Sequence, residues 1–521
     1  MRPPREGVVL EHRGRTLTAA TLDELVGRAA AVLSARGCER GDRVALVLEK
    51  GLPFVVLHLA CLRAGFVSTP CNPAATAGEL AHITSDAAPR LLLRDADAAE
   101  LLAAPSTGTA PSGAPRDDEL AALLYTSGTT GRPKGVPLTH GALAANVAAL
   151  HVLWEWSPRD VLLHALPLFH VHGLVVALHG ALHAGASTLL LDGFDAAAVA
   201  AALAERHATL FMGVPTMYHR LAQLPRAGPA PERRAADGAV EGGPAVPDAL
   251  PGMRLFVCGS APLRADTAAA FCARWGHEIL QRYGMTEALM ITSQPLHGDR
   301  RPPSVGRALP GVELAVVDRV TRAPLPAGGI GELLVRGPSV FAGYWRSAAD
   351  AASPLDADGW LATGDLGSLD ADGSLVLAGR ARELIICGGF NVYPKEVERA
   401  LDGHPDVAES AVFGLPDDDL GEIVAAAVVP APARTPDVAA LLAHCHAQLA
   451  PTKCPRVLVL LDALPRNGMG KVQKQLLAAR PEFARDRGPA PRGSVARAAA
   501  PSGGAPREPP FEMPHRETPR G

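Results

Sequence analysis

The sequence predicts an α/β protein: a large N-terminal part of several subdomains, with parallel sheets flanked by helices, then a small α+β unit. Three observations carry this expectation. Helix-period segments alternate with short apolar runs over the first hundred residues and again at 196–213. Capping pairs and glycines punctuate that alternation where helices should start and stop. Near residue 380 the pattern changes from strands joined by Gly-rich turns to a compact βαβ-like run.

In chain order, Thr21-x-x-Glu24 has the form of a capping box, and Leu22, Leu25, Val26, Ala29, Val32 and Leu33 follow at helical spacing, with Gly37 as the stop. Arg43–Leu48 is expected as a buried strand and 53–64 as a helix ended by Gly65. Thr76-x-x-Glu79 repeats the box ahead of the apolar run Leu91–Leu93, and Leu120–Leu124 reads as another strand. An Ala-rich helix at 196–207 leads into the strand ATLFMG. Segments 104–116, 224–251 and 487–521 are linker, insertion and tail by composition. The domain boundaries expected are therefore 1–380, 381–480 and a disordered tail at 481–521.

At roughly 100–200 residues per domain, 521 residues suggest about three or four domain-sized units. The balance of 50 Lys+Arg against 54 Asp+Glu argues against a nucleic-acid partner, and 48% hydrophobic residues exclude wholesale disorder. Eight scattered cysteines form no C-x-x-C pair, which predicts a reduced, cytoplasmic protein without a zinc knuckle. The opening MRPPREGVVLEHRGR lacks a signal-peptide stretch, and no run of about 18 uncharged apolar residues predicts a membrane span. Only six of the 50 basic residues are Lys: 50, 134, 395, 453, 471 and 474. Where Arg is the default cation, each Lys is a candidate for work that a compact ammonium does and a planar guanidinium does not.

The densest chemical signal is Tyr125-Thr-Ser-Gly-Thr-Thr-Gly-Arg-Pro-Lys134-Gly135. Thr126, Ser127, Gly128, Thr129, Thr130 and Gly131 offer backbone N–H groups and hydroxyls, and Lys134 adds a cation, which together suit a polyphosphate. The spacing is not that of a Walker A loop, because Pro133 stands where the second Gly would be and Gly135 follows the Lys.

This segment resembles the phosphate signature of the adenylate-forming superfamily, which includes acyl-CoA synthetases, luciferases and peptide-synthetase adenylation domains. Further motifs follow in the family's order over residues 10–480. Gly259-Ser260-Ala261-Pro262 resembles the adenine-binding turn. Tyr283-Gly284-Met285-Thr286-Glu287 is similar to the motif whose Tyr stacks on adenine, whose Thr contacts phosphate and whose Glu holds Mg²⁺. Thr363-Gly364-Asp365 resembles the ribose motif, and Gly379-Arg380 a second ribose contact. Arg382 falls on the family's hinge position, Gly388 and Gly389 on the loop that lines the CoA thiol tunnel, and Pro465–Lys471 on the motif of the catalytic Lys. The resemblance implies an enzyme that uses ATP, Mg²⁺, CoA and a small carboxylic acid. It also implies a mobile C-terminal domain, and a monomer or homodimer. Catalysis would rest on Lys134, Thr286, Glu287 and Lys471 aimed at moving phosphate charge, with no nucleophilic side chain. Lys474, three residues beyond, is expected at the surface.

LFHVHGL (168–174), FMGVPTMYHRL (211–221), QRYGMTE (281–287), GGFNVYPKEVE (388–398) and PRNGMGKVQK (465–474) together resemble the malonyl-CoA synthetases. A second carboxylate on the substrate calls for a buried cation, and Arg282 is the candidate, the other reading being a structural or phosphate-side Arg. His170 is expected to wall the acyl pocket, and His170-x-His172 lacks a third ligand for a metal. Gln281, Ala288 and Ile291 depart from that subfamily's pattern toward a more apolar pocket that would admit methylmalonate or a different short acid. The alternatives are a CoA ligase for another short- or medium-chain acid and, more remotely, a non-catalytic nucleotide-binding module.

Overall fold

The computed structural model describes residues 7–104, 109, 111–126, 133–225, 233–234, 240–241, 247–346, 354–388, 390–466, 471–484 and 495–497. The chain divides into two compact units, Met1–Ala381 and Arg382–Gly521.

Among the described residues, the first unit carries a nine-stranded, a five-stranded and a four-stranded sheet. The largest runs in the order Arg307–Ala308, Leu289–Ser293, Ile279–Met285, Leu255–Cys258, Leu210–Gly213, Val161–His164, Ser187–Leu190, Val8–His12, Arg15–Thr18. Its six inner strands are parallel, and antiparallel strands close both edges. Leu210–Gly213 and Leu255–Cys258 are buried at every position, as strands covered on both faces must be. The five-stranded sheet runs Leu91–Arg94, Arg43–Val47, Val67–Pro70, Leu120–Thr126, Lys134–Thr139, with only the last antiparallel. The four-stranded sheet is antiparallel throughout: Glu313–Val317, Gly331–Arg336, Leu361–Leu369, Leu375–Arg380.

Local signals place most helices. The box at Thr76 is complete: Glu79 N donates to Thr76 Oγ1 at 3.2 Å and Thr76 N donates to Glu79 Oε2 at 2.8 Å. Helix Leu52–Ala64 ends on Gly65 at φ 73°, a left-handed cap that glycine adopts without strain. The first helix begins three residues earlier than expected. It spans Ala19–Ala35, and Thr18, not Thr21, is its N-cap, accepting from Thr21 N. Thr18 closes the strand Arg15–Thr18, so the chain passes from ladder to helix with no room for a separate cap.

The second unit is α+β. A long hairpin, Val407–Asp417 with Gly421–Pro430, is joined in parallel by Val457–Leu460, and helices Pro394–Asp402 and Val438–Gln448 contribute to its core. Most of the insertion 224–251 and of the tail, and part of the linker 104–116, lie outside the described residues. Within the insertion, Arg233–Arg234 pairs with Val240–Glu241. Within the tail, Val495–Arg497 pairs in parallel with Val457–Leu460. The outer edge of Val457–Leu460 offers unpaired backbone groups that an extended segment satisfies. No helix of the described residues is long and apolar enough to cross a membrane.

Candidate active site

The phosphate-type motif is a β-hairpin. Thr126, at the end of Leu120–Thr126, stands opposite Lys134, at the start of Lys134–Thr139. Ser127, Gly128, Thr129, Thr130 and Gly131 lie outside the described residues. The next helix, His140–Leu153, starts only after Thr139, so Lys134 sits on a strand, whereas a P-loop Lys opens a helix. The hairpin is clamped at its loop end. Trp345 N donates to Gly135 O at 2.8 Å, and a Cβ at Gly135 would lie 2.9 Å from Trp345 Cβ. Tyr125 OH donates to Asp86 Oδ2 at 2.6 Å. The Lys134 ammonium lies 4.9 Å from the Tyr344 ring centroid, and Tyr344 OH donates to Glu287 Oε1 at 2.9 Å. One tyrosine thus touches both the Lys and the Glu named from sequence. Burial and then the Glu287 charge push the Tyr344 phenol well above its usual pKa, so it remains a donor.

Tyr283, Gly284, Met285, Thr286 and Glu287 form the tip of a second hairpin, Ile279–Met285 with Leu289–Ser293, at the edge of the parallel core. Gly284 is required there, because a Cβ would meet Leu289 O at 2.3 Å. Tyr283 is buried and its OH donates to Asp365 Oδ2 at 2.5 Å. Arg380 holds the other oxygen, Nε to Oδ1, at 2.8 Å. The pairing follows from register: Asp365 on Leu361–Leu369 lies directly opposite Arg380 on Leu375–Arg380. Thr363 Oγ1 donates to Leu333 O and accepts from Asp365 N, fixing the backbone of the Thr363-Gly364-Asp365 motif.

Gly259, Ser260, Ala261 and Pro262 follow the buried strand Leu255–Cys258 beside Ile279–Met285. Ser260 adopts φ 70°, an uncommon backbone for serine that marks a tight turn. Gly259 lies against Arg282: an added Cβ would sit 2.3 Å from the Arg282 Cζ. Arg282 is buried, 4% exposed, and among the described residues its Nε and Nη2 have no hydrogen-bond partner. Burial pushes its pKa down to about 10, and the group stays a cation at neutral pH.

His172, not His170, accompanies Arg282. It opens the π-helical turn His172–His179, its Nδ1 is 3.3 Å from Ser260 Oγ, and its Nε2 is buried without a partner among the described residues. Burial, then the Arg282 charge, hold its pKa well below the usual imidazole value, so it is neutral. His170 is half-buried against Phe169, ring centroids 4.5 Å apart, and burial pulls its pKa down to about 4. The sequence reading favours His170 and passes over His172, because the proximity of His172 to Ser260 spans 88 residues. Among the described residues no group of three His, Cys, Asp or Glu could hold a metal.

In the second unit Arg382 is exposed within the turn Ala381–Glu383. Gly388, at φ 56°, lies between paired strands Ile385–Cys387 and Phe390–Val392; Gly389 is outside the described residues. Lys471 is exposed, one residue before Val472, which bridges to Arg466. The expectation for Lys474 is corrected. Its ammonium is largely buried, 2.8 Å from Glu398 and 3.2 Å from Glu383, because helix Lys474–Ala478 turns it inward onto two carboxylates. Lys50, in the first unit, donates to His164 O at 2.7 Å, and burial pulls its pKa down to about 7.

The model of the AMP-binding enzyme family matches residues 1–345, and that of the AMP-binding enzyme C-terminal domain matches 396–471. A feruloyl-CoA synthase of an Amycolatopsis species is 36% identical over 484 residues, covering 89% of this chain and 94% of the relative. The malonate–CoA ligase of Arabidopsis thaliana is 35% identical over 360 residues, covering 65% of this chain and 57% of its own length. Among solved structures, ATP-bound MatB from Rhodopseudomonas palustris is 42% identical with a TM-score of 0.83, covering 91% of this chain and 95% of that one.

Proposed function

Because the chain belongs to the AMP-binding enzyme family, as an AMP-forming acid–CoA ligase, we propose that the acid it joins to CoA is malonate or its methyl-branched homologue. The observation that carries this reading is Arg282, a buried cation with two donors unpartnered among the described residues. An unpaired guanidinium away from water is costly, and a carboxylate entering beside it relieves that cost through paired, charge-assisted bonds. A monocarboxylic acid spends its only carboxylate on the phosphate and leaves Arg282 as it was.

In this reading the hydroxyls and amides of 126–131 and Lys134 cradle the triphosphate, and the turn 259–262 borders the adenine. Tyr283 stacks on the base. Its hydroxyl is tethered to Asp365, so the ring is held in one plane. Asp365, paired with Arg380, accepts from the ribose hydroxyls. A single buried carboxylate near Lys134 fits the usual magnesium arrangement of one or two carboxylates plus substrate phosphates, so Glu287 would hold the ion. Bound Mg²⁺ supplies charge neutralisation on the phosphates. Thr286 contacts phosphate, and Lys471 bridges the attacking carboxylate and the α-phosphate. The carboxylate oxygen forms a bond to that phosphorus as the bond to pyrophosphate breaks. The second unit then turns about Arg382, and the loop at Gly388 and Gly389 lines the path of the CoA thiol, which displaces AMP.

The test is pyrophosphate release with ATP over malonate, methylmalonate, butyrate and ferulate, with and without CoA. We expect malonate or methylmalonate to give the highest kcat/KM. Preference for butyrate or ferulate by tenfold or more would refute the malonate reading while leaving the acid–CoA ligase intact. Gly259→Ala supplies a second check. The new methyl drives into the Arg282 guanidinium. Displacing the guanidinium by about 1 Å should lower kcat/KM for the acid by up to about a hundredfold. The KM for ATP should change much less; an equal rise in both would place the damage at the adenine turn.

A further inference from the structure

Lys474 joins three pieces of the second unit that are distant in sequence. It begins the helix that follows the Lys471 loop. Its ammonium lies 2.8 Å from Glu398 Oε1, on helix Pro394–Asp402, and 3.2 Å from Glu383 Oε2, on the turn beside Arg382. Glu398 is itself anchored: Lys395 reaches Oε2 at 2.6 Å, and Val412 N donates to Oε1 at 3.0 Å from the central hairpin. The described residues flanking Lys471 are joined to the preceding strand end by Gln473 N donating to Pro465 O at 2.8 Å and by the Arg466–Val472 bridge. Arg466 is also paired with Glu409. The residues on either side of Lys471 are therefore held by Arg466 toward the hairpin and by Lys474 toward the Glu383 turn.

We propose that Lys474 is a positioning residue for adenylation: it ties the segment from Lys471 to Lys474 to the turn at Glu383 and to the unit's core through Glu398, so that Lys471 is held in place relative to that turn. This rests on the reading of Lys471 as the group that acts in adenylation. A chain with six lysines among 50 basic residues places one here for a physical reason. A compact ammonium fits between two carboxylates on different elements, where a planar fork would pair with one of them. Burial alone would lower the Lys474 pKa, but Glu398 and Glu383 outweigh it and hold the group charged, while Lys395 and Lys474 keep the buried Glu398 ionised.

The experiment is a kinetic cycle on the full chain. Pyrophosphate release is measured for Lys474→Met, Lys474→Arg, Glu383→Gln, Lys471→Ala and the double variant Lys474→Met/Lys471→Ala. Thioester formation from supplied acyl-adenylate is followed in parallel. A catalytic group misplaced by about 1 Å costs up to about a hundredfold. Lys474→Met should therefore lower kcat for adenylation by roughly ten- to a hundredfold with both KM values within about twofold. Lys474→Arg should recover part of the loss. Glu383→Gln, which leaves the Glu398 pair in place, should show a smaller loss of the same kind. The decisive readout is the double variant: placed on Lys471→Ala, Lys474→Met should cost nothing more in adenylation. The same loss in both backgrounds, or full activity of Lys474→Met and Glu383→Gln, overturns the proposal. If Lys474→Met does not fold, Glu383→Gln alone and on Lys471→Ala decides the same question. Full adenylation by Lys471→Ala would instead overturn the reading on which the proposal rests.

Discussion

Replacing Arg282 by Ala is expected to lower kcat/KM for malonate by two to four orders of magnitude. The wild-type guanidinium is buried with two donors unpartnered among the described residues, so an incoming carboxylate finds its counter-ion already in place. In the variant that carboxylate leaves water for a site without a cation, at a cost of roughly 3–5 kcal/mol for breaking a buried pair. At about 1.4 kcal/mol per decade this gives the stated loss. The effect should be selective. Butyrate brings no second carboxylate, so its kcat/KM should fall little or rise, and the KM for ATP should hold. Removing a charge that burial penalises offsets part of the packing lost with the buried side chain, so the melting temperature of the free protein should change less than for a buried apolar truncation. Malonate should raise the melting temperature of the wild type and not of the variant. Parallel losses on malonate, methylmalonate and butyrate, with weaker ATP binding, would mean that Arg282 braces the Tyr283 hairpin or faces phosphate instead.

The second large effect concerns Lys471. Lys471→Ala should reduce acyl-adenylate formation by about 10²–10³-fold, the usual cost of removing one preorganised charge donor from developing phosphate charge. Thioester formation from supplied acyl-adenylate and CoA should be largely spared, since the Lys acts only while carboxylate and α-phosphate are being joined. The comparison needs both half-reactions on the same preparation. Equal losses in the two would deny Lys471 its separate role.

Much of the fold is legible because its signals are local. The capping box at Thr76 works over three residues, and Gly65 supplies a left-handed cap at its own position. The buried parallel strands show as short apolar runs because both faces are covered. The start of the first helix is misread by three residues for an equally plain reason. Thr18 and Thr21 are both competent caps, and only the pairing of Arg15–Thr18 with Val8–His12 selects the earlier one.

The candidate site divides in the same way. Sequence alone determined which residue types cluster: the hydroxyl- and glycine-rich segment before Lys134, the Tyr283–Glu287 run, the Asp365 and Arg380 motifs, and a Lys at 471 in a chain that otherwise prefers Arg. The resemblance to the malonyl-CoA synthetases added Arg282 as a candidate cation for a second carboxylate. Tertiary structure decided what each of these touches. Tyr283 meets Asp365 across 82 residues, and Tyr344 meets Glu287 across 57. Gly259 meets Arg282 only because their strands are parallel neighbours, and His172 rather than His170 reaches Ser260. Lys474 passes from an expected surface position to a largely buried one because Glu383 and Glu398 converge on it from other elements. A backbone conformation or a loop's composition is written within a few neighbouring residues. The partner of a buried charge is set by strand order and register, which bring distant segments together and leave no mark at either position alone.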